Sequence, residues 1–153
     1  MLDKNYRYSL TRIWDESKPK LLFIMLNPSI ATADTDDPTI KKIVKFSDKW
    51  GYGGIYVGNL YAYISTNPKK MFKLSLDVRK GPENEKYLKD LISKSEKVVY
   101  AWGNGEQEPE WLKPLVKKPY VIELSTKGIP KHPLSRGKYA ISPNATLKPY
   151  KRN

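Results

Sequence analysis

Cysteine is absent from the sequence, and that single fact excludes disulfide bonds, thiolate catalysis, cysteine-ligated zinc and iron–sulfur clusters. With one histidine, His132, a histidine-rich metal site is excluded as well. The longest apolar run, Leu21 to Leu26, falls far short of the ~20 residues that a membrane-spanning helix needs. The first twenty residues carry charge throughout and no apolar stretch, so no secretion signal is expected. Arginine is scarce, five against 23 lysines. Proteins that read a base sequence favour the arginine fork, so a positive surface here points to backbone phosphates. These absences leave an expectation of one soluble, cytoplasmic domain over residues 1–153.

Bulk for a core is present: 4 Trp, 11 Tyr and 3 Phe accompany a chain that is otherwise polar, with 29% charged residues. The formal net charge is +12 and is unevenly spread. After residue 112 ten basic residues face Glu123 as the sole acid, interleaved with Tyr120, Tyr139 and Tyr150. Such a segment reads as a polyanion-facing surface, although a lysine-rich solvated face gives the same count.

Periodicity supplies the elements. The run from Lys20 to Leu26, stopped by Asn27-Pro28, reads as a buried strand. Asp37 caps and Pro38 opens a helix whose inner face is Ile40, Ile43, Val44, Ser47 and Trp50, ended by Gly51. Further strands are expected at 54–60, 97–102 and 120–124. A helix from Pro82 turns Tyr87, Leu88, Leu91 and Ile92 inward, and a short helix spans 108–116. Residues 6–14 alternate like an antiparallel edge strand. Alternating strands and helices of this kind predict a three-layer α/β/α sandwich around a mainly parallel four-stranded sheet, with a possible extra N-terminal edge strand. In such sheets ligands bind at the carboxyl ends of the strands.

Four motifs fall at or near those ends: Met25-Leu-Asn-Pro-Ser29, Val57-Gly-Asn-Leu60, Ala101-Trp-Gly103 and Lys131-His-Pro-Leu-Ser135. In their order and placement they resemble the motifs of the uracil-DNA glycosylase superfamily. The whole chain also resembles a compact family of bacterial and mobile-element proteins known only as a domain of unknown function. The glycosylase resemblance implies that Asn27 holds the attacking water, with Pro28 and Ser29 beside the substrate. It implies that Asn59 reads the N3–H and O4 edge of uracil, for which an amide has one donor and one acceptor side. It makes His132 the donor that stabilises the departing base anion, and Leu134 the wedge that fills the emptied stack. Gly103, Asn104, Lys131, Ser135, Arg136 and Lys138 would then hold phosphates. The implied activity is monofunctional excision of flipped-out uracil by a monomer that uses no metal or cofactor, with DNA as partner. Whether an inhibitor or replication protein also binds is left open.

The chain departs from that pattern at three places. Where relatives carry a base-stacking Phe, it has Ile40 or Thr39, so stacking would fall to Phe46, Tyr61 or another aromatic. Ser29 stands where strict uracil enzymes have a thymine-excluding Tyr, and the His132 loop is two residues shorter than theirs. Plainer roles exist as well: Asn27 suits an Asx turn before proline, Asn59 a strand-end turn, and His132 a surface loop. Two other functions stay open. Asp34, Asp36 and Asp37 could hold Mg²⁺ for a nuclease, or begin a helix. A catalytically weak or inactive glycosylase fold could serve as a nucleic-acid-binding module.

Overall fold

A computed structural model describes residues 5–28, 35–65, 67–103 and 105–152. Ser29, Asp34 and Asn104, named above, lie outside the described residues. Along the chain come β1 (Leu10–Ile13), β2 (Lys20–Met25), α1 (Pro38–Lys49), β3 (Gly54–Asn59), α2 (Pro68–Phe72), α3 (Leu76–Lys80), α4 (Asn84–Lys94), β4 (Lys97–Tyr100), β5 (Pro119–Val121) and β6 (Lys148–Pro149). The strands form one six-stranded sheet in the order β1-β3-β2-β4-β5-β6. β3, β2, β4 and β5 pair in parallel, while β1 and β6 close the edges antiparallel. The protein is therefore a mixed α/β fold, and its sheet has six strands where four and a possible N-terminal edge strand were expected. β6 is two residues long and ends in a proline, too short to leave a periodic trace in sequence.

The pleat sorts the core. Leu21, Phe23 and Met25 of β2 point to one face, where Ile40, Ile43 and Phe46 of α1 cover them. Leu22 and Ile24 point to the other, against Leu88 and Leu91 of α4 and Met71 of α2. β4 divides in the same way, Val99 to the α1 side and Val98 and Tyr100 to the α4 side. α1 begins as its sequence dictates: the Asp37 side chain accepts the Ile40 amide at 2.9 Å, and Pro38 fills the first turn where no N–H is needed. Gly58 explains how closely α4 approaches, since a Cβ there would come within 2.6 Å of Leu88 Cδ2.

Three local expectations are corrected. Residues 108–116 form turns rather than a helix. Leu112 N–H donates to Pro109 C=O and Leu115 N–H to Leu112 C=O, but Pro114 has no N–H to carry the ladder between them. The fourth parallel strand stops at Val121 instead of Leu124. Tyr87 faces outward, 40% exposed, with Tyr8 stacked on it at 4.7 Å. Among the described residues no helix is long and apolar enough to cross a membrane.

Candidate active site

Parallel pairing brings three strand ends to one edge of the sheet. Met25 is in register with Asn59, and the pairing runs on, with Leu60 N–H on Met25 C=O and Tyr61 N–H on Leu26 C=O. Ala101 N–H donates to Ile24 C=O from the other side. Asn27, in the bend after β2, therefore lies next to the end of β3 and near that of β4. The fourth contribution arrives by a detour. Leu124 and Pro130 bridge across a turn at Ser125–Gly128, and Gly103 N–H donates to Pro130 C=O at 3.0 Å. This pins the returning arm, and His132 with it, over the end of β4.

The result is a cleft of about 120 Å³ whose lining includes Asn27, Pro28, Ile40, Asn59, Trp102 and His132. That is room for a group the size of a few water molecules, at ~30 Å³ each, and so for one small planar ring. Asn59 is buried, and its Nδ2 donates to Arg7 C=O at 3.3 Å. Only the NH₂ side can make that bond, so the orientation of the amide is fixed. His132 Nδ1 accepts the Leu134 amide at 3.0 Å. The ring proton is consequently held on Nε2, and burial pushes the pKa below the ordinary histidine value, with the nearby Asp37 opposing and Lys42 assisting. At neutral pH this imidazole is an uncharged N–H donor.

Other residues singled out from sequence take different places. Phe46 belongs to the α1 core, stacked on Trp50, and Tyr61 lies on the α4 side, where its hydroxyl donates to Glu106 and Arg79 covers its ring. Neither lines the cleft; the aromatic that does is Trp102. Gly103 does not offer its amide to a phosphate, because Pro130 C=O takes it. Its glycine character serves packing instead: φ is +85°, and a Cβ would stand 3.2 Å from that of His132. Lys131 is paired with Glu123 at 2.6 Å and mostly buried, and Ser135 donates from both N–H and hydroxyl to His132 C=O. Leu134 is half-buried beside them, while Arg136 and Lys138 face solvent.

Sequence patterns missed three contributors. Trp102, flagged only as part of a Trp-Gly pair, and Arg7, within the alternating N-terminal segment, both line the cleft. Asn84 is fully buried at the start of α4, and its Nδ2 donates to the carbonyls of Asn59 and Leu60. It is a positioning residue for the end of β3, and no motif marks it. Two of the acidic trio have other duties, Asp37 capping α1 and Asp36 bonded to Arg12 at 2.6 Å, while Asp34 lies outside the described residues. Among the described residues no three His, Asp or Glu side chains gather to hold a metal ion.

Residues 7–134 match the model of a family described as "Protein of unknown function (DUF1643)". No curated protein and no solved structure matches the chain.

Proposed function

The chain belongs to the DUF1643 family, and we propose that this member is a uracil-DNA glycosylase-like enzyme that excises uracil from DNA and leaves an abasic site. The observation that carries the reading is the meeting of Asn27, Asn59 and a neutral His132 in one cleft of single-ring size. One sheet with parallel central strands, covered by helices on both faces, is in keeping with that superfamily.

Each side chain has a task in the reaction. The flipped uracil stands against Trp102 and Ile40, with the Asn59 Oδ1 accepting from N3–H and the second Nδ2 hydrogen donating to O4. Cytosine presents the reverse pattern and is rejected by an amide that cannot turn. The bond from C1′ to the base breaks with its electron pair on the base, and His132 Nε2–H donates to O2 as negative charge gathers there. A water oriented by the Asn27 side-chain carbonyl adds to C1′, and its surplus proton neutralises the departed uracil anion, leaving free uracil and an abasic sugar. An amide offers the sugar cation no full charge, so turnover is slower than with a carboxylate at this position.

One uracil-bearing, end-labelled oligonucleotide tests the proposal, single-stranded and opposite G or A, with EDTA present and alkali added afterwards. Cleavage only after alkali, reduced at least tenfold in Asn27→Ala and His132→Ala, is the expected result; removal of one oxyanion-type donor typically costs ~10²-fold or more. Retention of DNA binding with no abasic product would replace the enzyme by a nucleic-acid-binding module. The uncharged amide at Asn27 is the specific feature favouring that second reading. Cleavage that needs Mg²⁺ would point to a nuclease.

A further inference from the structure

We propose that the outer face of α1 is a track for single-stranded DNA, leading the strand to the cleft. This rests on the glycosylase reading for its direction but not for its existence. A groove of about 690 Å³ runs along the helix, walled by Lys41, Lys42, Lys45 and Lys49, with Phe46, Ile141 and Pro143 as its apolar floor. Among the described residues no carboxylate lines it, and no ion pair engages Lys41, Lys42 or Lys45. Lys49 has a structural duty: its Nζ donates to Pro143 C=O and fixes the far wall.

Helical spacing makes the track. Positions 41, 45 and 49 lie on one stripe, successive members about 6 Å apart along the axis, with Lys42 beside them. The opposite stripe, Ile40 and Ile43, is fully committed to the core. The first turn joins groove to cleft, because Thr39 and Ile40 line the cleft while Lys41 and Lys42 line the groove. Lys42 is near enough to His132 to depress its protonation.

Charge complementarity selects a polyanion, and the apolar floor selects a single strand. A duplex keeps its base faces stacked inside, whereas a single strand can lay sugars and unstacked bases against Pro143 and the exposed margins of Phe46 and Ile141 while its phosphates meet the lysines. The contact is independent of base sequence, as befits lysines rather than arginine forks. None of these lysines belongs to the basic segment after residue 112 that sequence composition pointed to.

The decisive experiment uses a uracil-free, fluorescein-labelled single-stranded DNA, its affinity followed by anisotropy over a range of salt. The triple variant Lys41→Gln/Lys42→Gln/Lys45→Gln is compared with wild type and with Lys86→Gln/Lys89→Gln/Lys94→Gln on α4, which removes equal charge across the sheet. Expected are a loss of about tenfold or more and a salt slope shallower by about 2 in the α1 variant alone, from ~0.7 per phosphate contact on a single strand. Equal weakening in both triples, or none in the α1 triple, overturns the track. Tighter binding to RNA of the same sequence overturns the DNA assignment. Circular dichroism checks folding, and the single variants Lys41→Glu and Lys45→Glu decide the matter if the triple is unfolded. Because no uracil is present, a wild type that excises nothing fails the glycosylase reading without touching this one.

Discussion

At the scale of single residues, the cleft depends on two groups whose state the backbone dictates. Gly103 holds φ at +85° beneath His132. Gly103→Ala introduces about 1 kcal/mol of left-handed strain and a methyl against the His132 Cβ, so the imidazole is displaced. On the proposed activity, a fall in excision larger than the fall in melting temperature, both measured on the same preparation, is the expected outcome. His132 itself titrates below its ordinary value of 6.5, chiefly because burial disfavours the charged ring. Above that value the imidazole is neutral whether the chain is folded or unfolded, and its contribution to stability is complete. Below it the unfolded chain takes up the proton first, and stability drops until the folded ring titrates too. Thermal melts of wild type and His132→Gln from neutral to mildly acid pH should diverge in that direction, with the variant flatter. Sequence alone made Asn27, Asn59 and His132 visible because each is a polar residue stranded at the end of an apolar run or in a proline-bounded loop. It could not place Trp102, since an aromatic next to a glycine reads equally as core. Nor could it see that Lys131 is cancelled by Glu123, a pairing made only when the segment after β5 folds back on 130–131.

At the scale of elements, α4 does more than cover a face of the sheet. Its first residue, Asn84, supplies two hydrogen bonds to the carbonyls that end β3. Asn84→Ala leaves both without a buried donor, a loss of about 1–3 kcal/mol, and frees the strand end that presents Asn59. Denaturant melts should show the cost and, on the proposed activity, discrimination between uracil and cytosine should weaken beyond it; Asn84→Asp, which keeps the size but turns a buried carboxylate onto two carbonyls, should cost at least as much as Ala. The long elements were legible for ordinary reasons: β2, β3 and α1 each carry five or more residues in one clear period. The short ones were not. α2 and α3 span five residues each, little more than a turn, and the stretch 108–116 has helical spacing defeated by one missing proline N–H. β5 keeps only three residues because Pro119 begins it and the chain then turns away toward Leu124.

At the scale of the whole molecule, the last residues of the sequence fasten the sheet to the turns that follow β4. Arg152 binds Glu108 through Nε and Nη2, at 2.8 and 2.7 Å, while Glu108 accepts the Tyr100 hydroxyl from the core. The Glu108 side chain is 3% exposed, so Arg152→Ala strands a buried carboxylate. The cost should be about 2–3 kcal/mol, under the range for a wholly buried pair because the guanidinium is itself partly open to water. Urea denaturation should show it, with much of the loss recovered in Glu108→Gln/Arg152→Ala. Full stability in the single variant would mean that the carboxylate finds water in its place.

β2 sits at the centre of the sheet, paired on both sides and buried on both faces. Outside the fold, the same five residues from Leu21 to Met25 are an uncharged, strand-prone segment with nothing to interrupt self-association. Lys18, Pro19 and Lys20 before it and Pro28 after it stand as gatekeepers. Damage that loosens the sheet anywhere therefore exposes a sticky ribbon, and a destabilised variant is expected to lose part of its yield to aggregates during refolding as well as melting lower.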